Sequence, residues 1–244
     1  MSVMRRIAAA AVLLTLTLDA GCHHAGTIPP GWHGEPLSLV DDQQPQPTGT
    51  EHPDQGNGDT RGSTAQLQVF ICYGKVLSNH TALRLSAPGK EALMWDPGGT
   101  YKQYDPSYAR RHDVLTKNSV TVNQWWRYRR DGCYEPIMEV FQWSLAPDLA
   151  QRLRAILLER QDPDDPGQTF EPDAGGLQCS KRVSEFLMRF ADGRPVVDKK
   201  YFWPHELGEH LWTQQPDRVM VFRRDGDSRV YRRDTAPTSA ENTE

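Results

Sequence analysis

The sequence has little apolar character and no excess of positive charge. Hydrophobic residues make up 37% of its 244 residues and the mean hydropathy is −0.67, so part of the chain must lie outside any core. The 28 basic and 32 acidic side chains leave a net charge of −4, which argues against binding to a nucleic acid backbone. Beyond the N-terminus no run approaches the roughly 18 apolar residues of a membrane span, which excludes a polytopic membrane protein.

The first 22 residues have the pattern of an export signal. Two arginines precede an apolar stretch over 7–18, and small residues precede Cys22. The stretch is about half a membrane span, so it predicts a segment that is cut rather than kept. The sequence LDAGC resembles a bacterial lipobox, with Asp19 where an aliphatic residue is usual. The resemblance implies that Cys22 carries a lipid such as palmitate and holds the chain on a bacterial membrane, facing the periplasm. An ordinary secreted protein is the alternative.

The composition divides the rest of the chain into three segments. Residues 23–64 contain six Pro and seven Gly, and such a segment buries too little apolar surface to offset its ordering entropy. It predicts a disordered tether with a reach of roughly 35–40 Å. The polar residues 234–244 predict a disordered tail. The folded unit is then 65–233, an ordinary size for one domain.

Within this unit the apolar pattern predicts strands first and helices afterwards. The predicted strands are 66–73, 80–86, 92–96, 120–128, 135–143 and 218–223, with the fourth and fifth joined as a hairpin across Arg-Asp-Gly. The predicted helices are 147–160 and 179–190, with a shorter helical turn at 204–211. This grouping predicts an α+β domain built on a mostly antiparallel sheet with a few packed helices.

Cys179 is the candidate nucleophile because of its position. It follows a Gly175-Gly176 turn and lies in the first turn of an amphipathic helix. The helix dipole at that end stabilises a thiolate and lowers the pKa of the thiol, and the amides there suit a developing oxyanion. The alternative is a small buried hydrophobe, because Cys179 shares an apolar stripe with Val183 and Phe186.

His80 is the candidate base and Asp96 the candidate orienting carboxylate. Strand alternation places His80 on the face opposite Thr81. A hairpin across Pro88-Gly89 brings Asp96 opposite or diagonal to His80, where a carboxylate fixes the imidazole tautomer. A register slip of one residue sends Asp96 to the other face, and the alternative role for Asp96 is turn capping.

A histidine on an early strand, followed much later by Cys-Ser-x-x-Val-x-x-Phe-Leu at a helix start, resembles the circularly permuted NlpC-type papain-like hydrolases. That branch includes relatives of lecithin:retinol acyltransferase. Residues 203–207, WPHEL, resemble the Pro-x-x-Leu turn of the same group. The resemblance covers roughly 70–215 and implies a permuted papain-like fold with Cys179 as nucleophile, His80 as base and a polar third residue such as Asp96. Gln178 stands where Asn is common.

Three other patterns predict structure rather than chemistry. His205 and His210 are five residues apart and diverge on a helix, so we expect no metal site, and no cofactor is predicted. The Trp and Arg residues of 125–130 fit a half-buried sheet better than a glycan or membrane platform. Cys72 and Cys133 are candidates for a disulfide in an oxidising compartment.

The leading interpretation is an exported cysteine hydrolase of the cell envelope, a thiol protease or amidase. We expect it to cut an amide bond in cell-wall peptide through a thioester intermediate. One alternative is a lipid acyl hydrolase or acyltransferase. The other is a non-catalytic envelope lipoprotein used for binding or scaffolding. The expected partners are a cell-wall peptide or lipid substrate and the membrane reached through the N-terminal lipid, with no nucleic acid.

Overall fold

The computed structural model describes residues 28–37, 65–74, 79–99, 109–110, 113–117, 120–132, 136–167, 169 and 178–233. The predicted signal and tail lie outside these residues, as do Cys22 and Cys133. In the described part of the chain, no helix combines the length and apolar character that crossing a bilayer requires.

The centre of the fold is a nine-stranded sheet in the order β1-β9-β8-β7-β2-β3-β4-β6-β5, with every neighbouring pair antiparallel. The strands are β1 (Trp32–Pro36), β2 (Gln66–Tyr73), β3 (His80–Ser86), β4 (Leu93–Pro97), β5 (Ala109–Arg110), β6 (Asp113–Thr116), β7 (Ile137–Ser144), β8 (Arg218–Arg223) and β9 (Arg229–Arg233).

In the part of the chain that the structure describes, four helices pack on this sheet. They are α1 (Val122–Arg127), which continues into one π-helical turn (Tyr128–Gly132), α2 (Pro147–Glu159), α3 (Cys179–Phe190) and α4 (Pro204–Thr213). Proline stands at the start of α2 and of α4, where its missing N–H costs no helical hydrogen bond. Strands and helices in one domain with an antiparallel sheet confirm the α+β class.

The sheet is buried on both faces, which explains the continuous apolar runs of its central strands. In β2, Val69 and Ile71 face a core shared with α2, α3 and α4. Phe70 and Cys72 face a second core shared with α1. The domain therefore has three layers, with the sheet in the middle.

Residues 120–128 form a helix rather than the predicted strand. Thr121 caps α1 with its hydroxyl on the Gln124 N–H, and the Gln124 side chain accepts from the Thr121 N–H. This capping box and the helical spacing of the buried Val122, Trp125 and Trp126 outweigh the strand preference of aromatic residues. The predicted hairpin across Arg-Asp-Gly is therefore wrong, and β7 pairs with β2 and β8 instead.

A strand lies within the segment predicted as a tether. β1 pairs along β9, with Trp32 opposite Arg233. The Trp32 ring meets the Trp212 ring of α4 edge to face, with centroids 5.5 Å apart. The prediction of disorder over 23–64 is therefore wrong for 32–36, because cross-strand pairing and one aromatic contact hold a stretch that composition alone marks as polar.

Replacing Trp32 tests whether β1 is docked. We expect Trp32→Ala to lower the free energy of unfolding by about 1–3 kcal/mol, since it removes a half-buried aromatic contact. The measurement is urea unfolding. The control is Glu35→Gln, which removes only the exposed ion pair with Arg232 at 3.3 Å and should cost less than about 1 kcal/mol. Equal stability of Trp32→Ala and the wild-type protein would contradict the docked strand.

Candidate active site

The strand register brings Asp96 to His80. Leu83 lies opposite Trp95, so Asp96 lies opposite Ala82 and diagonal to His80 on the same face. Nε2 of His80 is hydrogen-bonded to Oδ1 of Asp96. The side chain of His80 is 10% exposed and that of Asp96 is 1% exposed, so the pair is almost fully removed from water. Of the opposite and diagonal placements expected from the sequence, the structure has the diagonal one.

Cys179 lies against the other side of the imidazole. It is the first residue of α3, and no side chain caps the helix at Gln178. The thiol makes hydrogen bonds with His80, with the backbone of Thr81 and with the side chain of Ser180. Because Nε2 of His80 is bonded to Asp96, Nδ1 is the ring nitrogen that remains for the thiol. The three sequence-predicted residues therefore form one connected line.

The charges in this line favour an ion pair. Burial and the charge of Arg129 lower the pKa of His80, but the Cys179 thiolate and Asp96 raise it, from 6.5 to about 9. Burial raises the pKa of the Cys179 thiol. The charge and hydrogen bond of His80, together with hydrogen bonds from Thr81 and Ser180, lower it by more, so the net pKa is below the ordinary value of a thiol. Thiolate and imidazolium therefore stabilise each other.

Arg129 is a residue of this site that the sequence did not predict to lie here. It lies in the π-helical turn after α1 and is 6% exposed, with its guanidinium 5.8 Å from the Trp125 ring centroid. Trp125 in turn lies 6.4 Å from the His80 ring. The four-residue spacing of Trp125 and Arg129 brings them together only on a helix, so a strand prediction for 120–128 hid the contact.

The turn after β4 fixes the Asp96 carboxylate. Gly99 donates its N–H to the Asp96 carbonyl at 3.2 Å, and Gly98 adopts φ +65°. A Cβ on Gly99 would overlap the Asp96 carboxyl group. Only glycine at this position leaves room for the carboxylate in its observed place.

A buried hydrogen bond joins β3, which carries His80, to α3, which carries Cys179. Thr81 Oγ1 and Ser180 Oγ are 2.8 Å apart, and both residues are fully buried. Thr81 follows His80 in β3, and Ser180 follows Cys179 in α3. This bond between neighbours of the two reactive residues limits how far the strand and the helix can separate.

The remaining predicted residues lie elsewhere or outside the described chain. His210 contacts the Val196 carbonyl at 2.8 Å and stacks on Tyr201. Within the described ranges, no group of three or more His, Cys, Asp or Glu residues is arranged to hold a metal ion. Cys72 is buried in β2, but Cys133 is not described, so their disulfide stays a prediction.

Comparison of the chain with family models, with curated proteins and with solved structures found no match. The resemblance to permuted papain-like hydrolases therefore rests on the sequence motifs. The structure adds the interactions that connect Cys179, His80 and Asp96.

The pH dependence of alkylation tests this electrostatic arrangement. We expect iodoacetamide to label Cys179 at a pH below that of an ordinary thiol, because His80 stabilises the thiolate. Asp96→Asn removes a charge that raises the pKa of His80, so His80 in this variant loses its proton at a lower pH. The thiolate is then less stabilised, and the midpoint of Cys179 labelling moves to higher pH. Labelled Cys179 is quantified by peptide mass spectrometry.

The matched control is Asp198→Asn, which neutralises an exposed carboxylate bonded to Tyr201 at 3.0 Å. Its labelling midpoint should equal that of the wild-type protein. A midpoint that Asp96→Asn leaves unchanged would contradict the coupling of Asp96 to the thiol through His80.

Proposed function

We propose that this chain is an exported cysteine hydrolase that cuts an amide bond through a thioester intermediate. The observation that carries the proposal is the hydrogen-bonded line from Cys179 through His80 to Asp96. A nucleophile, a base and an orienting group in this order are the parts that acyl transfer requires. We also propose the permuted papain-like fold, since a cysteine at a helix start faces a histidine on an antiparallel strand that precedes it in the chain.

In the first step the Cys179 thiolate attacks the carbonyl carbon, a C–S bond forms, and the carbonyl π electrons move to oxygen. The start of α3 is the natural place for this oxyanion, because the backbone N–H groups of a first helical turn and the helix dipole favour negative charge. Thr81 contributes a backbone hydrogen bond to the sulfur. That bond holds the thiolate in position for attack.

In the second step protonated His80 donates its proton to the leaving amine, the C–N bond breaks and a thioester remains. Neutral His80 then takes a proton from water as the water oxygen attacks the thioester carbon. The C–S bond breaks, the carboxylic acid leaves, and the thiolate and imidazolium are restored. Asp96 keeps the ring in one orientation through both proton transfers. The reaction consumes one water and requires no cofactor.

The proposed substrate is an amide bond in cell-wall peptide. The support is the export signal with its lipobox-like Cys22, which predicts a location in the cell envelope, lipid-anchored and facing the periplasm. The proposed enzyme class also includes lipid acyl hydrolases and acyltransferases, whose thioester chemistry is the same. The products released therefore decide between the two substrate classes.

One observation favours a non-catalytic binding or scaffolding role instead. Cys179 and His80 are each only 8% exposed, and a buried thiol is often inert. The lowered pKa of the Cys179 thiol is the opposite of what burial in an apolar site produces, so the ionic environment of the sulfur supports catalysis.

The test is a comparison of the wild-type protein with Cys179→Ala on two substrates, peptidoglycan and phospholipid vesicles. We expect muropeptide release by the wild-type protein and a loss of at least about 10³-fold in Cys179→Ala. Urea unfolding checks that the variant remains folded. Fatty-acid release without muropeptides would move the proposal to the acyl hydrolase class. Equal activity of the two proteins on either substrate would exclude Cys179 as the nucleophile.

A further inference from the structure

The docked strand β1 brings the fold close to the predicted lipid attachment site. Only ten peptide links separate Cys22 from Trp32, the first residue of β1. Ten residues span at most about 33–36 Å when fully extended. A lipid on Cys22 therefore holds the domain near the bilayer, rather than at the end of a 42-residue tether.

The chain from Cys22 enters the fold at helix α4. Trp32 packs on Trp212, which lies in the last turn of α4. The same helix begins directly after Trp203. Trp203 and Trp212 are nine residues apart, which corresponds to about 14 Å along the helix axis. The start of α4 is therefore within reach of the surface to which a lipid at Cys22 would anchor the chain.

Exposed apolar side chains lie along the chain from the last turn of α3 to the start of α4. Four of the five large hydrophobic side chains that are exposed in the described residues lie within 188–203, and we call these four the α4 patch: Met188 at 41%, Val196 at 55%, Phe202 at 44% and Trp203 at 44%. The Phe202 and Trp203 rings are in contact, with centroids 4.9 Å apart. The fifth, Ile28, is 40% exposed and lies between Cys22 and β1.

Hydrogen bonds around Tyr201 hold the patch in place. The Tyr201 N–H donates to Ser184 of α3 at 2.9 Å, and Met188 lies one helical turn further along α3. The Tyr201 ring stacks on His210, whose Nε2 contacts the Val196 carbonyl at 2.8 Å. These contacts tie the segment around Tyr201 to α3 and α4.

Charges of both signs lie beside the patch. Lys199 and Lys200 precede the exposed aromatic pair, and Lys199 lies over the Tyr201 ring at 5.0 Å. Lys200 forms an ion pair with Glu185, and Asp198 accepts from Tyr201. Exposed Trp and Phe next to lysines are typical of segments that lie at the boundary between headgroups and acyl chains.

We propose that the folded domain contacts the bilayer directly through the α4 patch, with phospholipid as its partner. This contact goes beyond the hydrolase activity and requires no catalysis. It rests on the predicted lipid at Cys22 for proximity, and on the patch for orientation. The lipid places the domain within one tether length of the bilayer, and Phe202 and Trp203 decide which side faces it.

Site-specific photo-crosslinking tests the contact in the full, lipid-anchored chain. Phe202 is replaced by p-benzoylphenylalanine, and the protein is reconstituted in vesicles of phosphatidylethanolamine and phosphatidylglycerol. The matched control carries the same group at Asp225, an exposed position in the β8–β9 turn. That turn lies at the Pro36 end of β1, because Leu37 bonds to Ser228, and is therefore at the opposite end of β1 from Trp32.

We expect phospholipid adducts at position 202 and none at position 225, measured by mass spectrometry of the digested protein. The same pattern in a Cys179→Ala background separates this result from the fate of the proposed activity. Thermal unfolding of both labelled proteins confirms that they are folded. The absence of adducts at 202, or equal adducts at both positions, would overturn the proposal.

Discussion

The hydrogen bond between Thr81 and Ser180 is the constraint on which the proposed chemistry depends. It joins the second residue of β3 to the second residue of α3 at 2.8 Å, one position from His80 and one from Cys179. A buried hydroxyl group that loses its hydrogen-bond partner costs about 1–3 kcal/mol, so separating the strand from the helix is unfavourable. The fold thereby holds a thiol and an imidazole together across almost one hundred residues of sequence.

The electrostatics of the site are a balance of opposing effects. Burial alone would keep both Cys179 and His80 neutral, and the nearby Arg129 charge also disfavours a protonated imidazole. Asp96 and the mutual attraction of thiolate and imidazolium outweigh these effects. Gly99 contributes to this balance because it has no side chain, which leaves room for the Asp96 carboxylate beside His80.

The strongly patterned elements were predictable from the sequence. Helix α3 starts at Cys179 as its amphipathic stripe indicates, and β3 and β4 pair as a hairpin across the Pro-Gly turn. The register of that hairpin was open by one residue in the sequence, because turns of different lengths are possible there. The misses have physical causes. A capping box at Thr121 overrides local strand preference, and β1 is a strand only because β9 and Trp212 are there to receive it. Arg129 reaches the site through a helical turn, so only the three-dimensional structure identifies it.

The most direct measurement of the central claim is the titration of the His80 ring by NMR in the wild-type protein and in Cys179→Ala. If the imidazole is stabilised in its charged form by the thiolate and by Asp96, the pKa of His80 is about 9 in the wild-type protein. It falls in Cys179→Ala, which removes one of the two negative charges. A pKa near the ordinary value of 6.5, unchanged by the loss of the thiol, would contradict the ion pair and with it the proposed mechanism.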